Sequence, residues 1–173
     1  MEPFHILAGP PGAGKTTVLQ LLSETVQVVP EPARRVLAEQ RAIGGQGTGD
    51  ADQALFVQLM LEMAQADHAA ASGLTLFDRG LPDLLAFCTH YGLPKRPIQT
   101  AITAQRYAPA VFWFPPWPEI YTPDDERKLD FQGAVEFGEL IHQAYLQSGY
   151  SIVPVPQAPP QERAAFILRQ IGA

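Results

Sequence analysis

The sequence of 173 residues contains no asparagine and only one cysteine, Cys88. A single cysteine allows no internal disulfide and no cysteine-rich metal site, which is typical of proteins in a reducing compartment. GTPases of the Ras type recognise guanine through an Asn-Lys-x-Asp motif. Because the chain has no asparagine, guanine recognition by that motif is excluded.

Basic residues are also few. Lysine and arginine together number 12 against 18 aspartates and glutamates, which gives a net charge of −6 at pH 7. Affinity for nucleic acid depends on clustered basic side chains, and those here are scattered, so we expect no nucleic-acid partner. No apolar run reaches the roughly 20 residues that a membrane span needs, and residues 1–8 lack the pattern of a signal peptide. We therefore expect a cytoplasmic protein without membrane association.

What the chain does contain is an alternation of short apolar runs and longer amphipathic stretches. With 46% hydrophobic residues, this alternation predicts an α/β protein with a buried parallel sheet, folded as one domain over residues 1–173. The predicted strands are 4–8, 26–29, 74–77, 110–114 and 151–155. The predicted helices are 15–24, 32–42, 51–71, 81–90, 97–107, 132–147 and 160–171.

A G-x-x-x-x-G-K-[ST] motif follows the first predicted strand directly and precedes a predicted helix, which is the context that this motif requires. In such a P-loop, backbone N–H groups and the helix N-terminus bind phosphates, the lysine reaches the terminal phosphates, and the hydroxyl after it binds Mg²⁺. The sequence thus predicts a site for ATP and Mg²⁺ in a three-layer α/β/α P-loop fold with a five-stranded parallel sheet. The predicted nucleotide-binding residues are Gly9, Pro10, Pro11, Gly12, Ala13, Gly14, Lys15, Thr16 and Thr17, with Thr16 as a metal ligand.

The third predicted strand is followed directly by Asp78 and Arg79. An acidic residue at a strand end beside a P-loop is the expected second Mg²⁺ anchor, so we assign that role to Asp78. ATP-hydrolysing motors commonly place a glutamate next to activate water, whereas this chain has Arg79, which favours transfer over hydrolysis. We predict Arg79 as a substrate contact. Asp83 on the following helix is a further candidate, with capping or surface exposure as an equal alternative.

The second predicted strand leads to Glu31, Arg34 and Arg35 at the carboxyl edge of the sheet, where ligands bind in α/β folds. Glu31 is therefore placed to accept the proton of an attacking hydroxyl, and the two arginines to bind an anionic substrate. The alternative is that Glu31 only favours the helix N-terminus electrostatically and that the arginines are solvated.

Two loops are candidates for closing over a ligand. Residues 115–131, after the fourth predicted strand, form a predicted lid in which Arg127, with Lys128, neutralises charge on the migrating phosphoryl group. An exposed charged turn is the alternative. The glycine-rich segment 43–50 is expected to be mobile rather than packed, as a flexible connector or a substrate-closing loop. Trp117 and Tyr121 are expected to pack in the core or the loop rather than to bind a base.

Taken together, these motifs resemble the small P-loop kinases related to the ribosylnicotinamide kinase domain of bacterial NadR, a group often described as AAA-type ATPase-like. The resemblance covers nearly the whole chain. It lies in the P-loop, in Glu-Pro-Ala-Arg-Arg from Glu31, in Phe-Asp-Arg-Gly around Asp78, and in Asp-Glu-Arg ending at Arg127. Glu31 and Asp78-Arg79 also resemble the deoxyribonucleoside kinase pattern, which implies a base at Glu31. The residues around Asp78 depart from the Glu-Arg-Ser form of that family, so nucleoside specificity does not carry over.

The sequence therefore predicts a Mg-ATP-dependent phosphotransferase that acts on a small hydroxylated, nucleoside-like metabolite. The expected catalytic residues are Lys15, Glu31, Asp78 and Arg127. The alternative is a nucleotide-binding ATPase or regulatory switch that has no small-molecule acceptor and signals through the two loops. The expected partners of the protein are a nucleoside triphosphate and, if it is a phosphotransferase, the small-molecule acceptor.

Overall fold

The computed structural model describes residues 3–123 and 129–173. Five strands are formed: β1 (Phe4–Ala8), β2 (Gln27–Val29), β3 (Thr75–Asp78), β4 (Ala110–Trp113) and β5 (Ser151–Pro154). Seven α-helices lie between and after them: α1 (Lys15–Leu22), α2 (Pro32–Ile43), α3 (Gln53–Ala70), α4 (Asp83–Tyr91), α5 (Arg96–Ala104), α6 (Phe131–Gln147) and α7 (Pro160–Ile171). A short 3₁₀ helix covers Pro118–Ile120. None of the helices in these residues is long and apolar enough to cross a membrane.

The five strands form one parallel sheet in the order β2-β3-β1-β4-β5. The prediction of a five-stranded parallel sheet is confirmed, and the strand bounds differ by one residue at most. Val26 does not open β2 as predicted, because its N–H still bonds to the carbonyl of Leu22 in the turn that ends α1. Asp78 lies inside β3 as its last residue, paired in register with Leu7 of β1.

Alternate residues of the central strand face opposite layers. Ile6 and Ala8 belong to one apolar cluster, which also contains side chains of α2 to α6, and Leu7 belongs to a second cluster with side chains of α1 and α7. This period of two is what a strand with both faces covered by helices requires. The result is the predicted three-layer α/β/α arrangement.

The connections from the two middle strands run in opposite directions. The chain leaves β1 toward β2 on one side of the sheet, and leaves β4 toward β5 on the other. Loops part at such a point and leave a crevice at the carboxyl edge of the sheet, which is the usual ligand site of open α/β folds. The glycine motif follows β1, and the segment that contains Trp117 follows β4, so both border this crevice.

The glycine-rich segment after α2 is packed, which corrects the expectation of an unpacked loop. Gly47 is buried, and its N–H donates to Oε1 of Gln40 at 2.9 Å. The N–H of Gly45 bonds to the carbonyl of Gln40 at 2.8 Å, and the N–H of Asp52 bonds to the carbonyl of Gln46 at 2.9 Å. A Cβ on Gly47 would stand 2.6 Å from Cδ1 of Leu59, so glycine here allows close packing against α3.

Candidate active site

The turn between β1 and α1 depends on two glycines with left-handed backbone. Gly12 has φ 75° and Gly14 has φ 82°, a region that residues with a Cβ adopt at a cost. A Cβ on Gly12 would also stand 2.6 Å from the ring of Tyr121, which covers the turn. Gly14 is the N-cap of α1 and offers no side chain to the first N–H groups. Those N–H groups have no carbonyl partner within the helix and carry its positive dipole end, so the turn can bind an anion.

The turn lines a cavity of about 1140 Å³ at the carboxyl edge of the sheet. Lys15 is buried at its wall, whereas Thr16 and Thr17 are exposed to it. The other walls come from the end of β3, the start of α2, the segment after β4, and the start of α7. The residues that line it include Pro11 to Thr17, Glu31, Arg34, Arg41, Asp78, Trp117, Ile120, Gln157, Pro159 and Arg163.

Asp78 lines this cavity from the strand next to β1. Its Oδ1 is buried and has no hydrogen-bond partner among the residues that the structure describes. A buried carboxylate oxygen without a partner is costly unless a ligand satisfies it. Carboxylate and hydroxyl oxygens are also the ligands that Mg²⁺ prefers, together with water and substrate phosphates. Asp78 and the hydroxyl of Thr16 therefore fit a magnesium site.

Glu31 also lines the cavity and is 4% exposed. Its Oε1 accepts from Nε of Arg79 at 3.1 Å and its Oε2 accepts from Nε of Arg34 at 3.3 Å. Glu31 precedes α2, but its side chain makes no cap hydrogen bond to that helix. Of the two cations that the described residues place beside Glu31, Arg79 is buried and Arg34 is about half exposed.

Behind Glu31 a chain of buried polar side chains continues to α6. Nη1 of Arg79 donates to Oδ1 of Asp83 at 2.9 Å, and Oδ2 of Asp83 accepts from the hydroxyl of Tyr145 and from the N–H of Gly80. We call Glu31, Arg79, Asp83 and Tyr145 the Glu31 network. Burial, followed by the charge of Asp83, raises the pKa of Tyr145 well above its usual value, so this hydroxyl stays a donor.

Arg79 holds its place in the network with a backbone that few residues adopt. Its φ is 71°, and it is the one residue other than glycine with positive φ in the described part of the chain. Such a conformation costs about 1 kcal/mol or more and persists where surrounding contacts fix it. Arg79 and Asp83 are 4% and 2% exposed and contact Glu31 or each other, and neither lines the cavity.

The other predicted site residues are placed as follows. Arg35 points to α3, where its Nη1 bonds to Oδ2 of Asp67 at 2.5 Å. Arg127, the predicted lid residue, lies outside the described residues together with Lys128, so its role stays a prediction. The structure thus brings together the P-loop, Asp78, Glu31 and Arg34 in one cavity, with Arg79 and Asp83 behind Glu31.

Among the residues at or near the cavity that no motif marks are Tyr145, Trp117 and Arg163. Tyr145 stands in the apolar stripe of α6, and a hydroxyl in that stripe is the one sequence signal that could have indicated a buried polar partner. Trp117 lines the cavity, although we expected core or loop packing. Arg163 reaches the P-loop from α7, and nothing in its sequence context distinguishes it from a solvated helical arginine.

The sheet order, the glycine turn after the central strand and the carboxylate at the end of the neighbouring strand define a P-loop α/β protein with a kinase-like fold. A family model described as AAA domain matches residues 4–163, and the chain belongs to this family. No curated protein sequence matches.

Solved structures show the same fold. NadR protein in complex with NR superposes with a TM-score of 0.71 at 16% identity, over 99% of this chain and 52% of that one, so the chain spans about half of NadR. Thymidylate kinase from Ehrlichia chaffeensis gives a TM-score of 0.63 at 14% identity over 99% of both chains. Shikimate kinase from Acinetobacter baumannii, in complex with shikimate, gives 0.61 at 17% identity over 99% of this chain and 93% of that one.

Proposed function

We propose that the protein transfers the γ-phosphoryl group of Mg-ATP to a hydroxyl of a small, nucleoside-like metabolite. The observation that carries the proposal is that Glu31 lines the same cavity as Lys15 and Asp78. ATP-hydrolysing motors commonly activate water with a glutamate directly after the second Mg²⁺ anchor, where this chain has Arg79, whereas Glu31 supplies a buried carboxylate elsewhere in the cavity wall. A kinase needs one to receive the acceptor's proton or to hold its hydroxyl in line.

On the donor side, the N–H groups of the P-loop bind the phosphates and Lys15 neutralises charge on the terminal ones. Thr16 and Asp78 would hold Mg²⁺, which neutralises charge that develops on the phosphate oxygens. Because Lys15 is buried, its interaction with the phosphates is less weakened by water than that of an exposed lysine.

On the acceptor side, a hydroxyl that lies between Glu31 and the P-loop attacks the γ-phosphorus. The new O–P bond forms as the bond from the γ-phosphorus to the bridging oxygen breaks, ADP leaves, and the hydroxyl proton passes to the Glu31 carboxylate. Arg79 and Arg34 keep this carboxylate oriented, since each binds a different one of its oxygens. Arg34, which is partly exposed at the cavity, is also placed to contact an anionic group of the acceptor.

The test is a screen of the purified protein with Mg-ATP and a panel of acceptors. The panel contains nucleosides, ribosides including NR, sugars, thymidylate and shikimate, so that it also covers what the structural neighbours are named for. We expect a phosphorylated product from at least one acceptor, with little free phosphate in its absence. Free phosphate alone, or no turnover with any acceptor, would favour the ATPase or switch alternative.

A further inference from the structure

Arg163 brings a second cation to the P-loop, beside Lys15, from a helix far away in sequence. It lies in the first turn of α7, is 4% exposed and lines the cavity. Its Nη1 donates to the carbonyl of Ala13 at 3.3 Å. A Cβ on Gly14 would stand 2.9 Å from Nη1 and 3.0 Å from Nη2, so the guanidinium lies against the turn itself.

The charge of Arg163 has no acidic partner within the described residues. The ion pairs in that part of the chain involve other arginines, and Nε of Arg163 is buried without a hydrogen-bond partner there. Burial lowers the pKa of Arg163, yet a guanidinium stays protonated in proteins. A buried charge is costly unless an opposite charge or hydrogen bonds compensate it. One backbone carbonyl and two aromatic faces, Trp117 at 5.3 Å and Phe114 at 5.7 Å, compensate it only in part.

We propose that Arg163 is an anion-binding residue of the nucleotide site and that it holds the phosphate nearest the ribose. This inference rests on the proposed function only in taking the P-loop as the ATP site. The lysine of a P-loop serves the β- and γ-phosphates and its backbone cradles the α- and β-phosphates, so a second cation against Ala13 and Gly14 adds most at the α-phosphate. Beside Arg163, Trp117 and Pro159 provide flat apolar surface suited to a base.

A purely structural role for Arg163 makes different predictions. As a clamp it would only tie α7 to the turn through Ala13 and Trp117, and its loss would lower the melting temperature and weaken every ligand alike. If Arg163 contacts the α-phosphate, its loss weakens the binding of ligands that carry this phosphate and leaves the binding of ligands that lack it unchanged.

The experiment measures dissociation constants of ADP, AMP and adenosine for the wild type, Arg163→Gln and Arg163→Lys. Arg169→Gln, an exposed arginine in the last turn of the same helix, is the matched control. Arg163→Gln should raise the dissociation constants of ADP and AMP by the same factor, about tenfold or more, because a hydrogen bond to a charged group is lost. The dissociation constant of adenosine should stay unchanged. Arg163→Lys should give intermediate dissociation constants for ADP and AMP, because lysine keeps the positive charge but lacks the planar guanidinium that can donate two parallel hydrogen bonds.

Unchanged ADP affinity in Arg163→Gln, or an equal loss for adenosine, would overturn the inference. Melting temperatures of all variants show whether each is folded, and Arg163→Lys keeps the test open where Arg163→Gln is unstable. Failure of the proposed function is seen separately, in the acceptor screen with wild-type protein, because ADP and AMP binding requires no phosphoryl transfer.

Discussion

The P-loop and the Glu31 network border the same cavity but are built in different ways. The P-loop is one continuous stretch whose ligand-facing groups are mostly backbone N–H groups, fixed by two glycines and a helix start. The Glu31 network consists of side chains from four places along the chain, joined by hydrogen bonds and two ion pairs between buried groups. A backbone site keeps its shape through most single substitutions, whereas a side-chain network loses its geometry when one member is shortened.

The two regions also differ in how their charge is balanced. Among the described residues, Glu31 and Asp83 carry two negative charges and Arg79 with Arg34 carries two positive charges, so these four charges balance. Lys15 and Arg163 line the same cavity as Asp78, whose Oδ1 has no hydrogen-bond partner among the described residues. The described charges of the first region thus balance one another, whereas the second region suits a polyanion with a bound cation.

The largest expected effect is that of Lys15→Ala, which removes a buried charge at the terminal phosphates. Transfer, measured as kcat/KM for ATP, should fall by about 10³-fold, and Mg-ATP affinity should fall with it. The measurement is a steady-state assay together with a titration of Mg-ATP. Lys95→Ala, at an exposed lysine that does not line the cavity, is the control and should match the wild type. Equal affinity of Lys15→Ala and wild type for Mg-ATP would remove the P-loop from the mechanism.

Glu31→Gln tests the Glu31 network. The amide keeps the shape but is a poor proton acceptor, so kcat should fall by about 10²-fold while the dissociation constant of Mg-ATP stays within about twofold. Glu39→Gln, an exposed glutamate on α2, is the matched control. Undiminished kcat in Glu31→Gln would make Glu31 a structural partner of the two arginines and nothing more.

Tyr145→Phe tests whether Tyr145, the member of the Glu31 network on α6, contributes to phosphoryl transfer. Removing the hydroxyl leaves Asp83 with one donor fewer and should cost about 1–2 kcal/mol of unfolding free energy. Because Asp83 orients Arg79 and Arg79 orients Glu31, kcat should also fall, by about tenfold, with the KM for ATP unchanged.

A second buried tyrosine separates the two effects. The hydroxyl of Tyr150 accepts from the N–H of Tyr107 at 3.4 Å, so its described hydrogen bond lies outside the Glu31 network. Tyr150→Phe should therefore lose comparable stability, measured by denaturant unfolding, without the fall in kcat. If both variants lose stability and neither loses kcat, Tyr145 supports the core and does not position the base.

The difference between a continuous backbone site and a network of distant side chains also explains how much of this site the sequence predicts. The P-loop, Asp78 and Glu31 could be assigned because each lies directly at the end of a predicted strand, and parallel strands bring their carboxyl ends to one edge. The helices and all five strands could be predicted because the periodic spacing of apolar residues is a local feature of the sequence. The bounds differ mainly at helix ends, where a turn such as that at Val26 continues the backbone hydrogen bonds.

The contacts between distant residues could not be predicted in that way. Arg79 was expected to meet the substrate, but its left-handed backbone directs it to Glu31 and Asp83, and no local pattern specifies such a conformation for arginine. Tyr145 and Arg163 act through tertiary contacts from α6 and α7. A residue whose partners lie more than sixty positions away in sequence leaves no spacing to recognise.

The smallest expected effect concerns the segment after α2, and it tests how far the acceptor side of the cavity extends. Gln40 holds this segment through the N–H of Gly47, while Arg41 beside it lines the cavity. Gln40→Ala removes that hydrogen bond and should cost about 1 kcal/mol of unfolding free energy. Gln58→Ala on α3, where the amide donates to the exposed Glu62, should cost less. If the segment is a packed connector, kcat and both KM values stay at wild-type levels in Gln40→Ala; a raised KM for the acceptor alone would instead place the segment in the acceptor site.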